Sequence, residues 1–155
     1  MRILVISDAH GRHSRIETAI EAQPSAKHIF YLGDKLEDID GFAEFYPDRT
    51  FYSVPGNCDM FSAEKTTREA TLAGRKIIYT HGHEFGVKLG KTRLIAYAKA
   101  RNANIVLYGH THEAETLYED GMYIVNPGSI GKGYPPSYAV IDLEYNGTAP
   151  IIINV

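Results

Sequence analysis

The chain has 155 residues, one cysteine and a formal net charge of −3 with no block of Lys or Arg. That length suits a single domain over 1–155 that buries roughly 68–70% of its unfolded surface without staples, and the charge excludes a long nucleic acid as partner. Cys58 cannot close an internal disulfide and the apolar start at 3–6 is too short for a signal peptide, which predicts a cytoplasmic protein; no run nears the ~20 apolar residues that cross a bilayer, so no membrane partner is expected.

In chain order, a strand over 2–7 ends in Ser7-Asp8-Ala9-His10-Gly11 and precedes a helix over about 14–23, which Ser14 and Glu17 open as a capping box. A strand over 28–32 ends in Gly33-Asp34-Lys35-Leu36-Glu37. A short helix near 38–46 and a strand over 50–54 follow, ending in Pro55-Gly56-Asn57-Cys58-Asp59. Strands over 66–72 and 75–80, joined at Ala73-Gly74, lead to Thr80-His81-Gly82-His83. After a helix over about 91–103 comes a strand over 105–108 that ends in Gly109-His110-Thr111-His112. Strands over 114–119, 122–125, 137–143 and 149–155 close the chain as a meander, with tight turns at Asp120-Gly121 and Asn146-Gly147, the latter a turn rather than a glycosylation sequon. An α/β first half and a β-rich second half without a linker predict two packed sheets with helices outside.

Taken singly, each string has an ordinary reading. Asp8-x-His10 can cap a helix, Asp34 and Asn57 suit turns, His81 can be a satisfied structural group, and His110-x-His112 occurs on solvated strands. Jointly, two aspartates, one asparagine and four histidines at five strand ends supply seven N and O ligands. Ligands gather beyond the carboxyl ends of strands in open α/β sheets, so the strings converge on one rim. Mixed imidazole and carboxylate donors suit divalent Mn, Fe, Co, Ni or Zn better than Ca, and two Mn²⁺ ions are the first expectation. Three other features carry less. Gly86-Val87-Lys88-Leu89-Gly90-Lys91-Thr92 is one residue short of a phosphate-cradling loop. Phe42, Phe45, Tyr46, Phe51 and Tyr52 read with Val54 as a helix packed on a strand. The loop from Asn126-Pro127-Gly128-Ser129 to Lys132 offers backbone N–H groups and an ammonium to a phosphate, or is a plain turn.

The five strings in order resemble the calcineurin-like metallophosphoesterases, whose pattern is D-x-H, G-D-x-x-[DE], G-N-[HC]-[DE], H-G-H and G-H-[ST]-H. The short chain, the Asn126-Pro127-Gly128-Ser129 loop and the hairpin tail are similar to the compact YfcE-like phosphodiesterase branch. The resemblance implies a four-layer α/β/β/α sandwich with two mixed sheets flanked by helices. It implies that Asp8, His10 and His112 hold one metal, that Asn57, His81 and His110 hold a second, and that Asp34 bridges them, with Asp34, Asn57 and His81 central to catalysis. The implied reaction is hydrolysis of a small phosphodiester by a metal-bridging hydroxide. Many relatives carry histidine where this chain has Cys58. A thiol is the poorer proton donor, so activated leaving groups are favoured unless His83, His13 or a metal-bound water substitutes. Cys58, Asp59 and His83 are therefore expected beside the site. A homo-oligomer is allowed. The alternative is a non-catalytic metal-binding or protein-interaction scaffold of the kind represented by Vps29.

Overall fold

Parallel strands covered on both faces need near-continuous apolar runs, and the runs Ile3 to Ile6, Ile29 to Leu32 and Ile105 to Leu107 meet that condition: all are buried. In the computed structural model, which describes residues 1–155, they form the centre of two five-stranded mixed sheets. In the first, β1 (Arg2–Ile6), β2 (Ala26–Tyr31) and β3 (Thr50–Ser53) run parallel, and β9 (Ser137–Glu144) and β10 (Gly147–Asn154) extend the sheet antiparallel, in the order β10-β9-β1-β2-β3. In the second, β4 (Thr67–Leu72) pairs antiparallel with β5 (Arg75–Thr80). Strand β6 (Ile105–Leu107) lies parallel to both β5 and β8 (Met122–Pro127), and β7 (Ala114–Glu119) closes the edge, in the order β4-β5-β6-β8-β7.

Three apolar clusters separate four layers, as the resemblance implied. The central one, with Ile3, Val5, Phe30, Tyr79, Leu107 and Ile141, lies between the sheets. A second packs Leu4, Ile6 and Tyr31 under Ile16, Ala19 and Ile20 of α1 (His13–Ala22). The third packs Ile78, Val106 and Ile124 under Leu94 and Ala98 of α3 (Thr92–Lys99).

Several local expectations are corrected. Helix α1 begins one residue early, so Ser14 lies inside it. Its N-cap is Arg12, with no side-chain cap, and Ser14 instead lends its carbonyl to Thr18. The helix expected near 38–46 is two short turns, a 3₁₀ turn over Leu36–Ile39 and α2 (Phe42–Phe45), because Gly41 at φ +80° breaks the path between them. Helix α3 ends at Lys99 rather than 103, where the N–H of Ala103 turns back to Ala98 and Asn102 takes φ +55°. A 3₁₀ turn over His83–Phe85 was not expected. In the last hairpin Gly147 already pairs with Glu144, so the turn is Tyr145-Asn146. Of the expected aromatic cluster, Phe42, Tyr46 and Phe51 pack under α1's layer, Tyr52 stacks on Phe30 between the sheets, and Phe45 is exposed. No helix is long and apolar enough to cross a membrane.

Candidate metal centre

Strands β1, β2 and β3 run parallel in one sheet, as do β5, β6 and β8 in the other, and the residues that leave their carboxyl ends meet. The meeting is close because glycines leave room. A Cβ on Gly33, at φ +93°, would stand 2.5 Å from the Gly56 nitrogen, and one on Gly56 would collide with the Asp34 carboxylate.

All seven expected ligands are brought together. One group is Asp8, His10, Asp34 and His112, whose ligand atoms lie within 4.8 Å of one another. A second surrounds His81 Nε2, which lies 3.1 Å from Asn57 Oδ1, 3.2 Å from His110 Nδ1 and 3.5 Å from Asp34 Oδ1. Asp34 faces both groups, since its Oδ2 is 3.7 Å from His10 Nε2. Five of these seven residues, Asp8, His10, Asp34, His110 and His112, hold positive φ between 48° and 70°. A non-glycine residue there is strained by about 1–3 kcal/mol and persists only where surrounding structure enforces it, most often at functional sites.

The donor set fits a cation on its own terms. The Leu32 carbonyl can only accept, so His81 Nδ1, 2.6 Å away, carries the proton and Nε2 presents a lone pair. That lone pair faces oxygen atoms of Asn57 and Asp34 in a buried site, a repulsive arrangement that a positive ion relieves. The buried Nε2 of His10 has no hydrogen-bond partner at all. Asp8 divides its work: Oδ2 accepts from the Ser7 hydroxyl and the His110 N–H, while Oδ1 faces His112 Nε2 at 3.1 Å.

The charges follow this geometry. Burial opposes ionisation of Asp8, but hydrogen bonds from His112 and Ser7 outweigh it and hold the carboxyl below its ordinary range. Burial pushes His110 down to about 4; burial and the Lys132 charge lower His10. Both rings are therefore neutral and able to ligate near neutral pH.

The neighbours divide by role. The Cys58 N–H donates to Asp34 Oδ1 at 2.9 Å, and burial pushes its exposed thiol up, with Asp34 adding to the effect. Asp59 turns to its own loops instead, accepting from Leu36 N–H and Gly56 N–H at 2.8 Å each. The His83 ring lies 5.4 Å from that of His81, its buried Nδ1 is unpartnered, and burial lowers its pKa. His13 is half exposed and ties to Asp38. The loop after β8 does not lend its N–H groups to a ligand: Ile130 and Gly131 donate to Ser7 and Asp8 carbonyls, and Lys132 N–H donates to Ser129.

Sequence reasoning missed three supports. Asp38, 1% exposed, accepts from Gly11 N–H at 2.7 Å, whereas Glu37, the acid that fitted the sequence string, is exposed. Four residues beyond Asp34, Asp38 offered no signal apart from being a second acid. Asn126 donates to the Gly109 carbonyl and the Thr111 hydroxyl, and Ser129 donates to the Asp8 carbonyl.

The sequence profile of the calcineurin-like phosphoesterase superfamily domain matches residues 1–146. The chain is 32% identical over 149 residues to the probable metallophosphoesterase YsnB of Bacillus subtilis, covering 93% of this chain and 85% of that one. It is 28% identical over 169 residues to the phosphodiesterase YfcE of Escherichia coli K12, covering 92% and 88%. A 36% identity to the vacuolar protein sorting-associated protein 29 of Schizosaccharomyces pombe spans only 91 residues, 59% of this chain and 48% of that one. The crystal structure of a predicted phosphoesterase from Streptococcus pneumoniae TIGR4 superposes with a TM-score of 0.84 at 25% identity, over 99% of this chain and 88% of the other.

Proposed function

This chain belongs to the calcineurin-like phosphoesterase superfamily and is a metal-dependent phosphoesterase of its YfcE-like branch, and on that premise we propose that it hydrolyses a small phosphodiester at a dinuclear centre within a single domain. Asp8, His10 and His112 would hold one divalent ion, Asn57, His81 and His110 the other, and Asp34 both. The observation that carries this reading is Asp34, whose two carboxylate oxygens face different groups of donors, one His10 and the other His81. Mn²⁺ is the first candidate, with Ni²⁺, Fe²⁺, Co²⁺ and Zn²⁺ suited to the same donors.

Such a pair of ions, when bound, acidifies a water and neutralises charge on a phosphoryl group. The chain's own part is preorganisation. Leu32 fixes the His81 tautomer, Ser7 and the His110 N–H orient Asp8, and Cys58 N–H steadies the Asp34 carboxylate. The Ser7 and Ser129 hydroxyls are spent on the Asp8 carboxylate and carbonyl, where they orient that residue. The deciding experiment is turnover of bis(p-nitrophenyl) phosphate with metal analysis. We expect about two ions per chain and activity lost to chelation and restored by Mn²⁺. Full metal loading without hydrolysis of an activated diester would favour the interaction scaffold instead.

A further inference from the structure

Beside the candidate centre the chain leaves two large adjacent apolar side chains in water: Met60 is 78% and Phe61 98% exposed. With Lys35, Leu36, Cys58 and Asp59 they line a groove of 320 Å³, near the lower end of small-molecule sites. The backbone beneath them is braced. Asp59 ties Leu36 N–H to Gly56 N–H, and the turn carrying Phe61 closes with Ser62 N–H on the Asp59 carbonyl at 3.0 Å. The groove adjoins the centre, because Cys58 in its lining donates its N–H to Asp34 Oδ1 and Lys35 directly follows Asp34.

A lone surface phenylalanine needs no explanation, whereas adjoining apolar side chains on a braced loop beside the candidate centre mark a binding surface. The groove suits no second phosphate: the Lys35 ammonium lies 3.5 Å from Glu37, and Asp59 and Glu37 make the remaining charge negative. It is also too small to hold a second copy of the chain, since two such side chains expose on the order of 300 Å² against the ~800 Å² per partner of a stable interface.

We propose that this groove is the subsite for an apolar organic arm of the ester, aryl or of similar breadth, with Phe61 and Met60 setting the specificity. The inference rests on the phosphodiesterase reading above and narrows its substrate to diesters that carry at least one such arm.

Calorimetric titration of the Mn²⁺-loaded protein with phenylphosphonate and methylphosphonate tests it, the methyl compound serving as reference for the phosphoryl site alone. Phenylphosphonate should bind about tenfold more tightly, the equivalent of roughly half a ring face removed from water. Phe61→Ala and Met60→Ala should bring that ratio towards one, and their exposure predicts unchanged melting. Equal affinities in the wild type, or a ratio that survives Phe61→Ala, would overturn the subsite. Absence of methylphosphonate binding to the loaded wild type would overturn the phosphoryl site itself, and the subsite with it. A dimer in sedimentation that Phe61→Ala dissociates would assign the groove to a second copy and also overturn the proposal.

Discussion

The two oxygens of Asp34 carry the proposed function, so that residue gives the sharpest test. Asp34→Asn should lower metal content and cut bis(p-nitrophenyl) phosphate turnover at least about 100-fold while the fold persists, whereas Glu37→Gln, exposed and turned to Lys35, should keep both. Asp59 is no neutral control, because its carboxylate joins two site loops. Cys58 makes a second residue-scale prediction. Its thiol is exposed and shifted upwards, so it is protonated and a weak acid near neutral pH, and Cys58→Ser should retain most activity. Rates across a series of leaving-group pKa values should then fall steeply for the wild type and less steeply for Cys58→His. An equally shallow wild-type slope would mean that another group already donates the proton. His83 is poorly suited to that task, since burial lowers its pKa.

At the scale of elements, the supports beneath the site are as testable as the donors. Asn126→Ala removes the bonds that pin Gly109 and Thr111 on either side of His110, and should weaken metal binding about 10–100-fold, read by competition with a chelator. Ser14→Ala should shift stability by less than about 0.5 kcal/mol, where loss of a true cap would cost about 1 kcal/mol; chemical denaturation distinguishes the two. The strands were legible because apolar runs bounded by Gly, Asp and Asn have one natural period, and the turns at Ala73-Gly74 and Asp120-Gly121 fall where their left-handed φ angles demand. Helix ends were less so. Capping depends on where the preceding loop is anchored, and here Gly11 and His13 are anchored to Asp38, twenty-five or more residues away. The donor residues stood out as strings, while Asp38, Asn126 and Ser129 act through backbone contacts that no local spacing encodes.

At the scale of the molecule, three apolar layers hold two sheets so that six strand ends open on one rim, and the metal-free centre should be the weak point of that assembly. Unfolded, His110 takes up a proton near pH 6.5; folded, it does so only at about 4. In that window the unfolded chain binds more protons, so stability falls as pH drops through it, and the lowered pKa values of His10 and His83 act with the same sign. Thermal melts of the chelated protein between pH 7 and 4 should show this loss, and Mn²⁺ at pH 7 should raise the melting temperature, because an ion that binds only the folded chain stabilises it by mass action.

The left-handed backbone at Asp8, His10, Asp34, His110 and His112 has a consequence for how this protein can change. Glycine adopts those angles freely, so in chelated protein His10→Gly or His112→Gly should melt higher than the matching alanine variant, although both lose the imidazole. Among replacements at these rim positions, screening for thermal tolerance without metal would therefore favour glycine over any side chain that keeps the same angles under strain. Stability and function pull in opposite directions at the same few codons, and robust versions of this protein will come from substitutions elsewhere.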